Sequence, residues 1–501
     1  MNTAISALAS LPTMLIAAEA EVVIYWVVYA LIAVAIVGVV ITLLTDDRDP
    51  STVLAWLFVI MLLPVFGIVL YFFIGRNYRR DTPKTSQLRL DMRGLVDRSL
   101  APTREANAAF TEAAVAALAG TAGGRIEATG HKESRFLPQP ADSVEVYTSG
   151  AQKFPALLAD MAEAQTYIHL MYLIWEQDEL TAKVTEVLLE RLAAGVEIHI
   201  IYDWLSCITY KKDELKRLAA AGATVVPCYK RLAHINYRNH MKMAVIDGEV
   251  VYTGGMNMGQ EYIDGGKRFA VWRDTHLRMT GAIVAPYITL YATTWQLNGG
   301  KEDLATGYIK EPVAHQPGEG IPVQMLHSSV RTLHKSIRDV FIIALTNARE
   351  RIWIQSPYFV PDEPLITAMC VAATSGIDVR FMMTGMPDKK VPYYAAQAYY
   401  KQLIEAGVKV YQYKAGFLHS KTVTVDEQLV IIGTCNWDIR SIILHDEVVA
   451  VIYDESIARE HAGHYEHDIT ECVQVTLEDL LAMNTGAKFR NSIFRLFSRL
   501  L

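Results

Sequence analysis

The sequence has no Cys-x-x-Cys pair. Its five cysteines, Cys207, Cys228, Cys370, Cys435 and Cys472, are odd in number and scattered through 501 residues. They outline neither a disulfide framework nor a zinc site, and they suit a reducing compartment. Charge is scarce as well: 20% of the residues are Asp, Glu, Lys or Arg, and the formal net charge is −7. That balance argues against bulk nucleic-acid binding, which usually comes with a basic domain. Residues 1–20 are apolar and end in an A-x-A-like "AEA", yet they lack the positive n-region of a secretory signal, so cleavage is not expected.

Apolar residues are abundant, at 51% with a mean hydropathy of +0.18, which leans towards a membrane-attached protein. "VVIYWVVYALIAVAIVGVVITLL" (22–44) and "TVLAWLFVIMLLPVFGIVLYFFIG" (52–75) carry no charge and are each long enough to span a bilayer. Pro64 and Gly67 in the second are tolerable in a transmembrane helix. Only "TDDRDPS" separates the two, so a tight two-helix hairpin is expected. Arg76, Arg79, Arg80, Lys84 and Arg89 follow the second span, whereas the loop offers only Arg48 among Asp46, Asp47 and Asp49. By the positive-inside rule the body of the protein lies on the cytoplasmic side.

The remainder reads as one design used twice. "TYIHLMYLIWEQDEL" (166–180) parallels "RIWIQSPYFVPDEPL" (351–365), "AAGVEIHIIYD" (193–203) parallels "TSGIDVRFMMT" (374–384), and "LAAAGATVVP" (218–227) parallels "LIEAGVKVYQ" (403–412). Between matched glycines the offsets are 376 − 195 = 181 and 407 − 222 = 185. Apolar β-rich runs alternate with helical stretches, a pattern that gives a sheet covered by helices. The expected segments are 1–20 (N-terminal), 21–75 (transmembrane hairpin), 76–135 (juxtamembrane linker), 136–300 (first half), 301–322 (linker), 323–485 (second half) and 486–501 (C-terminal helix). The fold class is α/β, with two pseudo-symmetric halves after the hairpin.

Each half then reaches the same frame, H-x-K-x4-D-x6-G-x-x-N. It starts at His240 and at His419, and the Asn follows at 257 − 240 = 17 and 436 − 419 = 17 residues. The frame reads as a hairpin, with an Asp-Gly turn at 247–248 in the first copy. Residues i and i+2 of a strand share a face, so His240 projects with Lys242 and His419 with Lys421. If the halves pack about a pseudo-two-fold axis, one cleft holds two imidazoles, two ammonium groups and two Asn amides. Such a set suits a phosphodiester. The cations and amides follow the growing charge on the phosphoryl oxygens. One neutral histidine can attack phosphorus while the other, protonated, delivers a proton to the leaving alcohol and later deprotonates the incoming one. No metal or other cofactor is required, because the lysines carry the positive charge.

The duplicated H-x-K-x4-D resembles the defining motif of the phospholipase D superfamily. With "STVLAWLFVIMLLPVFGIVLYFFIGR", "PYFVPDE", "GGMNMGQEY", "WRDTHLRMTG" and "GTCNWDIRS", the chain is most similar within it to the bacterial cardiolipin synthases. The resemblance implies a catalytic set of His240, Lys242, Asp247, His419, Lys421 and Asp426. His240 is the implied nucleophile and His419 the acid/base, with the swap left open by the near symmetry. Asn257 and Asn436 would bind phosphate, and Asp274 and Glu447 would fix the imidazole tautomers. Asp247 and Asp426, which follow their strands, suit a structural role better than a chemical one. The sequence departs from the family's Gly-Ser-x-Asn pattern at Gly255 and Thr434.

The implied reaction joins two molecules of phosphatidylglycerol into cardiolipin and glycerol at a bacterial inner membrane. The runner-up is a hydrolase, a phospholipase D releasing phosphatidic acid or, less favoured, a nuclease. Two further features bear on a lipid substrate. Phe489, Ile493, Leu496 and Leu500 recur at helical spacing opposite Lys488, Arg495 and Arg499, which fits a helix lying in an anionic interface or one packed on the core. Trp272, Tyr358, Phe359, Tyr394 and Trp437 are candidates either for a lipid channel or for core.

Overall fold

The computed structural model describes residues 2–46, 50–75, 83–230, 235–332 and 334–498. Arg48, Arg76, Arg79 and Arg80, on which the expected orientation rests, lie outside them, as do Arg499, Leu500 and the side chains of Lys84 and Arg89. Two compact units form, Met1–Thr85 with Arg231–Asn236, and Ser86–Lys230 with Tyr237–Leu501.

The first unit begins with the helix Asn2–Thr45. Within it Glu21–Thr45, 25 residues of mean hydropathy 3.0, is the one helix among the described residues long and apolar enough to cross a bilayer. The second apolar stretch is not the continuous helix expected. It breaks into Pro50–Leu62, Pro64–Leu70 and a π-helical turn Tyr71–Gly75. Pro64 has no N–H to give and its ring crowds the preceding turn, so the chain leaves helical geometry at Leu63, with φ −133° and ψ 70°. The bend is tight: a Cβ on Gly67 would lie 3.0 Å from the Ile60 Cα. Val39 and Leu43 of the long helix nevertheless pack with Trp56, Ile60 and Tyr71 in one buried cluster.

The second unit contains two mixed sheets built on one plan. In the first, the strand order is Ser143–Tyr147, His276–Thr280, Val250–Gly254, Met243–Ile246, Tyr167–Tyr172, Glu197–Asp203 and Thr224–Cys228. The last three are parallel and the rest antiparallel. Seven strands of the second sheet repeat this order and these directions: Ile321–Ser328, His445–Ile452, Leu429–Gly433, Thr422–Val425, Arg351–Gln355, Asp378–Thr384 and Lys409–Tyr413. The central strands, such as Tyr167–Tyr172, are buried along their whole length, as strands covered on both faces must be. Pro227, which cannot donate to a ladder, sits in the edge strand. Helices follow the parallel strands. Glu179–Ala193 starts with a capping box between Asp178 and Thr181 and buries Leu180, Val184 and Leu188 at i, i+4 and i+8.

The described part of the stretch expected as a juxtamembrane linker is helical, in Pro83–Ala106, Ala108–Leu118 and Ala122–Ser134. Its alanines favour helix, and Ile126, fully buried, joins Ile337 and Phe341 in the second core. At the other end, Thr485–Ser498 docks one face on Lys390–Glu405. Asn491 bonds Gln397 at 3.0 Å, Phe494 stacks on Tyr394, and Arg495 lies over Tyr399. Phe489 and Leu496 stay exposed, at 67% and 75%.

Three short strands stitch the halves together. Gln139–Ala141 joins the edge of the second sheet. Arg238–Asn239, leading into the first His-x-Lys, pairs in parallel with His445–Asp446 of the second half. Phe417–Leu418, leading into the second His-x-Lys, pairs in parallel with Trp272–Arg273 of the first. The last two exchanges are reciprocal, and they build the site.

Candidate active site

Each exchanged strand continues one bond further. The His240 amide donates to the Asp446 carbonyl at 2.9 Å, and the His419 amide donates to the Arg273 carbonyl at 2.7 Å. Each histidine therefore arrives beside the carboxylate of the opposite half. Nδ1 of His240 lies 2.9 and 3.0 Å from the two oxygens of Glu447. Nδ1 of His419 lies 2.7 Å from Oδ2 of Asp274. Both carboxylates are fully buried. A carboxylate on Nδ1 fixes the tautomer and leaves Nε2 as the free lone pair. Around this crossing, Arg273 and Asp468 form a buried two-point pair between the halves (Nε–Oδ1 and Nη2–Oδ2, both 2.9 Å). The hydroxyls of Thr275 and Ser420 also share a hydrogen bond.

Lys242 and Lys421 are buried, and each ammonium donates to the carbonyl of its own motif histidine. Burial pushes Lys242 down to about 7 against the pull of Glu447. It pushes Lys421 down to about 8 against Asp274 and Glu447. The lysines thus carry less charge at neutral pH than their sequence suggests. Burial likewise lowers both imidazoles. His240 falls well below its ordinary value, helped by the charges of Lys242 and Lys421. His419 falls to about 4, with Lys421 lowering it and Asp274 opposing. Each half's lysine acts on the other half's histidine, so the two motifs form one electrostatic cluster.

Nδ2 of Asn257 donates to the Tyr262 hydroxyl at 2.9 Å, and Nδ2 of Asn436 donates to Ser441 at 3.2 Å. Both amides are buried, and each keeps a second N–H. The departures at Gly255 and Thr434 match the unlike carboxylates. A Cβ on Gly255 would lie 1.9 Å from Oδ1 of Asp274, whereas the Thr434 hydroxyl donates to Glu447. The shorter carboxylate fills the space that a side chain at 255 would take.

The carboxylates of Asp247 and Asp426, grouped with the catalytic residues by resemblance, turn to backbone amides. Asp247 accepts from the amides of Gln165, Thr166 and Tyr167 at 2.7, 2.8 and 2.9 Å. Asp426 accepts from those of Arg349, Glu350 and Arg351, all at 2.9 Å. Each clamps the loop entering the neighbouring strand, from a hairpin turn with φ of +52° or +51°. Asp247→Ala is expected to cost about 2 kcal/mol of stability, read as a lower denaturation midpoint, because three amides, that of Tyr167 buried, lose their acceptor. Turnover per folded molecule should hold.

Of the aromatic candidates, Trp272 borders the site, its ring 6.0 Å from that of His419. Tyr358 bonds Asp388, beside Lys389. Phe359 and Trp437 belong to the core, and Tyr394 packs under the C-terminal helix. Sequence reasoning missed His445, whose ring lies 5.6 Å from that of His240. Its place two residues before Glu447 on a strand was the available signal.

A family model described as "Cardiolipin synthase, PLD-like domain" matches residues 157–267 and 341–469. Another, described as "Phospholipase_D-nuclease N-terminal", matches residues 30–76. The cardiolipin synthase of a Geobacillus species is 32% identical over 484 residues, covering 94% of this chain and 93% of that protein. That of Halalkalibacterium halodurans is 32% identical over 487 residues, covering 95% of each. Among solved structures, the phosphatidylserine synthase of Haemophilus influenzae superposes with a TM-score of 0.58 at 15% identity, over 75% of this chain and 97% of that one, and so shares the fold. The chain belongs to the cardiolipin synthase family of the phospholipase D superfamily.

Proposed function

We propose that this protein is a phosphatidyltransferase that forms cardiolipin and glycerol from two molecules of phosphatidylglycerol. The reading rests chiefly on the crossed His240–Glu447 and His419–Asp274 pairs, which bring both motifs into one buried, lysine-bearing cluster. In the first step Nε2 of His240 attacks phosphorus, the P–O bond to the departing glycerol breaks, and His419 gives that oxygen its proton. In the second, His419 takes the proton of the incoming glycerol hydroxyl, which attacks phosphorus as the P–N bond breaks, restoring both histidines. Lys242, Lys421, Asn257 and Asn436 hold the non-bridging oxygens, and Asp247 and Asp426 keep the hairpins in place. The unlike carboxylate contacts favour these roles. Burial and both lysines lower each ring, but Asp274 opposes the fall at His419, whereas Lys242, Lys421, His419 and Lys389 all add to the fall at His240. The neutral ring suits the nucleophile.

Membrane attachment fits the substrate. We assign Glu21–Thr45 as one span and the bent apolar stretch after it as a second, with the body on the cytoplasmic side. Thin-layer analysis of the purified protein with phosphatidylglycerol in micelles tests the activity. Cardiolipin with glycerol is the expected product pair, and phosphatidic acid alone would refute it in favour of a hydrolase.

The pH profile of kcat/KM should be bell-shaped, and the shifts set its limbs. His419, held down to about 4, sheds its proton first as pH rises, and Lys242 and Lys421 then lose charge through about 7 and about 8, so activity falls in stages on the alkaline side. A lowered His240 value means that its lone pair survives far into acid, so the acid limb lies well below the usual imidazole range. Activity that stays level from neutrality into the ordinary lysine range would contradict this.

A further inference from the structure

His445 has no part in the transfer described above, yet it stands inside the site. Its side chain is 12% exposed, and its Nδ1 is 3.7 Å from Oε1 of Glu447. Neither ring nitrogen has a hydrogen-bond partner among the described residues. Buried polar atoms nearly always find one, so two such nitrogens on one ring need an explanation.

The fold supplies a setting. Residues 445 and 447 lie on the same side of the strand His445–Ile452. The parallel pairing with Arg238–Asn239 delivers His240 to that side from the other half. One ligand atom each from His240, His445 and Glu447 lies within 4.8 Å of the other two. Two imidazole nitrogens and a carboxylate oxygen are a donor set that zinc and its first-row neighbours accept, at about 2.0–2.2 Å from the ion. We propose that His240, His445 and Glu447 form a binding site for a borderline transition-metal cation of the zinc class.

The pseudo-symmetry separates this reading from plain packing. Trp272 precedes Asp274 by two residues, as His445 precedes Glu447. Its ring stands 6.0 Å from that of His419, much as the His445 ring stands 5.6 Å from that of His240. Each half therefore lays a ring against the opposite motif histidine. Indole has no lone pair to give a metal, whereas imidazole has. Only the His240 side carries a complete donor set among the described residues. A bound ion would silence His240 through either nitrogen, Nε2 as the nucleophile or Nδ1 as the atom that Glu447 orients. The site is thus inhibitory; this consequence rests on the proposed role of His240, whereas the donor set does not.

Cobalt(II) tests the site directly on the full-length, chelator-stripped protein in micelles. Wild type should give the visible bands of a low-coordinate cobalt ion at one equivalent, and zinc should abolish them. His445→Asn and His445→Phe should both lack the bands; the second keeps a ring against His240 and guards against a simple loss of packing. Zinc that lowers transfer by about tenfold in wild type should change either variant by less than about twofold, and chelator should restore the activity. Absence of bands, or bands that persist in both variants, overturns the site. Bands without inhibition keep the site and count instead against His240 as the nucleophile.

Discussion

His240→Ala is expected to lower cardiolipin formation by at least about 10,000-fold, measured as product per enzyme at saturating phosphatidylglycerol. The size of the loss follows from what the ring supplies. Without Nε2 there is no covalent intermediate, and the alcohol of a second lipid would have to displace glycerol directly, at a site whose lysines are held to about 7 and 8. His419→Ala should cost a comparable factor, because an unprotonated glycerol alkoxide is a poor leaving group. The double variant should be little worse than either single one, as residues that act as a unit are not additive. A membrane scaffold with an idle motif would show no loss in any of the three.

The second large effect belongs to the carboxylates, and its pattern matters more than its size. Glu447→Gln and Asp274→Asn should each reduce turnover about 1,000-fold, since the amide favours the wrong tautomer and cannot stabilise the imidazolium. On the proposed roles of His240 and His419 the two losses fall on different steps. Glu447 sits in the second half but holds His240, so Glu447→Gln should slow formation of the covalent adduct. Asp274 sits in the first half but holds His419, so Asp274→Asn should slow proton transfer, and the adduct should accumulate with an activated donor whose leaving group needs no proton. Were each carboxylate to serve the histidine of its own half, these phenotypes would be exchanged. Single-turnover kinetics with labelled phosphatidylglycerol reads both.

Much of this was legible in the sequence, for a physical reason. Duplication preserved spacing, so two copies of H-x-K-x4-D-x6-G-x-x-N marked two hairpins, and matched glycines marked helix ends before parallel strands. Period-two alternation then put each His with its Lys. The pairing of Asp274 and Glu447 with histidines was reachable only by resemblance, and that they are exchanged between halves was not reachable at all. The exchange depends on two-residue strands, Arg238–Asn239 and Phe417–Leu418, too short to leave a pattern. Asp247 shows the converse case. Its motif position invites a catalytic reading, while its Asp-Gly turn announces a structural one, and the backbone amides of Gln165, Thr166 and Tyr167 decide for the turn. Pro64 reads from the sequence as tolerable in an apolar helix, whereas the chain leaves helical geometry at Leu63 and a new helix starts at Pro64. His445 escaped because its signal, a place two residues before Glu447 on one strand, has meaning only once Glu447 is set against His240.

One measurement reaches the central claim most directly: that two histidines from distant parts of the chain act on a single phosphorus, one as nucleophile and one as proton carrier. His419→Asn protein, incubated with phosphatidylglycerol labelled in its acyl chains and quenched without acid, should carry label on residue 240, mapped by peptide sequencing under neutral conditions. The converse variant, His240→Asn, should carry none. Label on residue 419 of the converse variant would reverse the roles, and label on neither histidine in either variant would contradict the account.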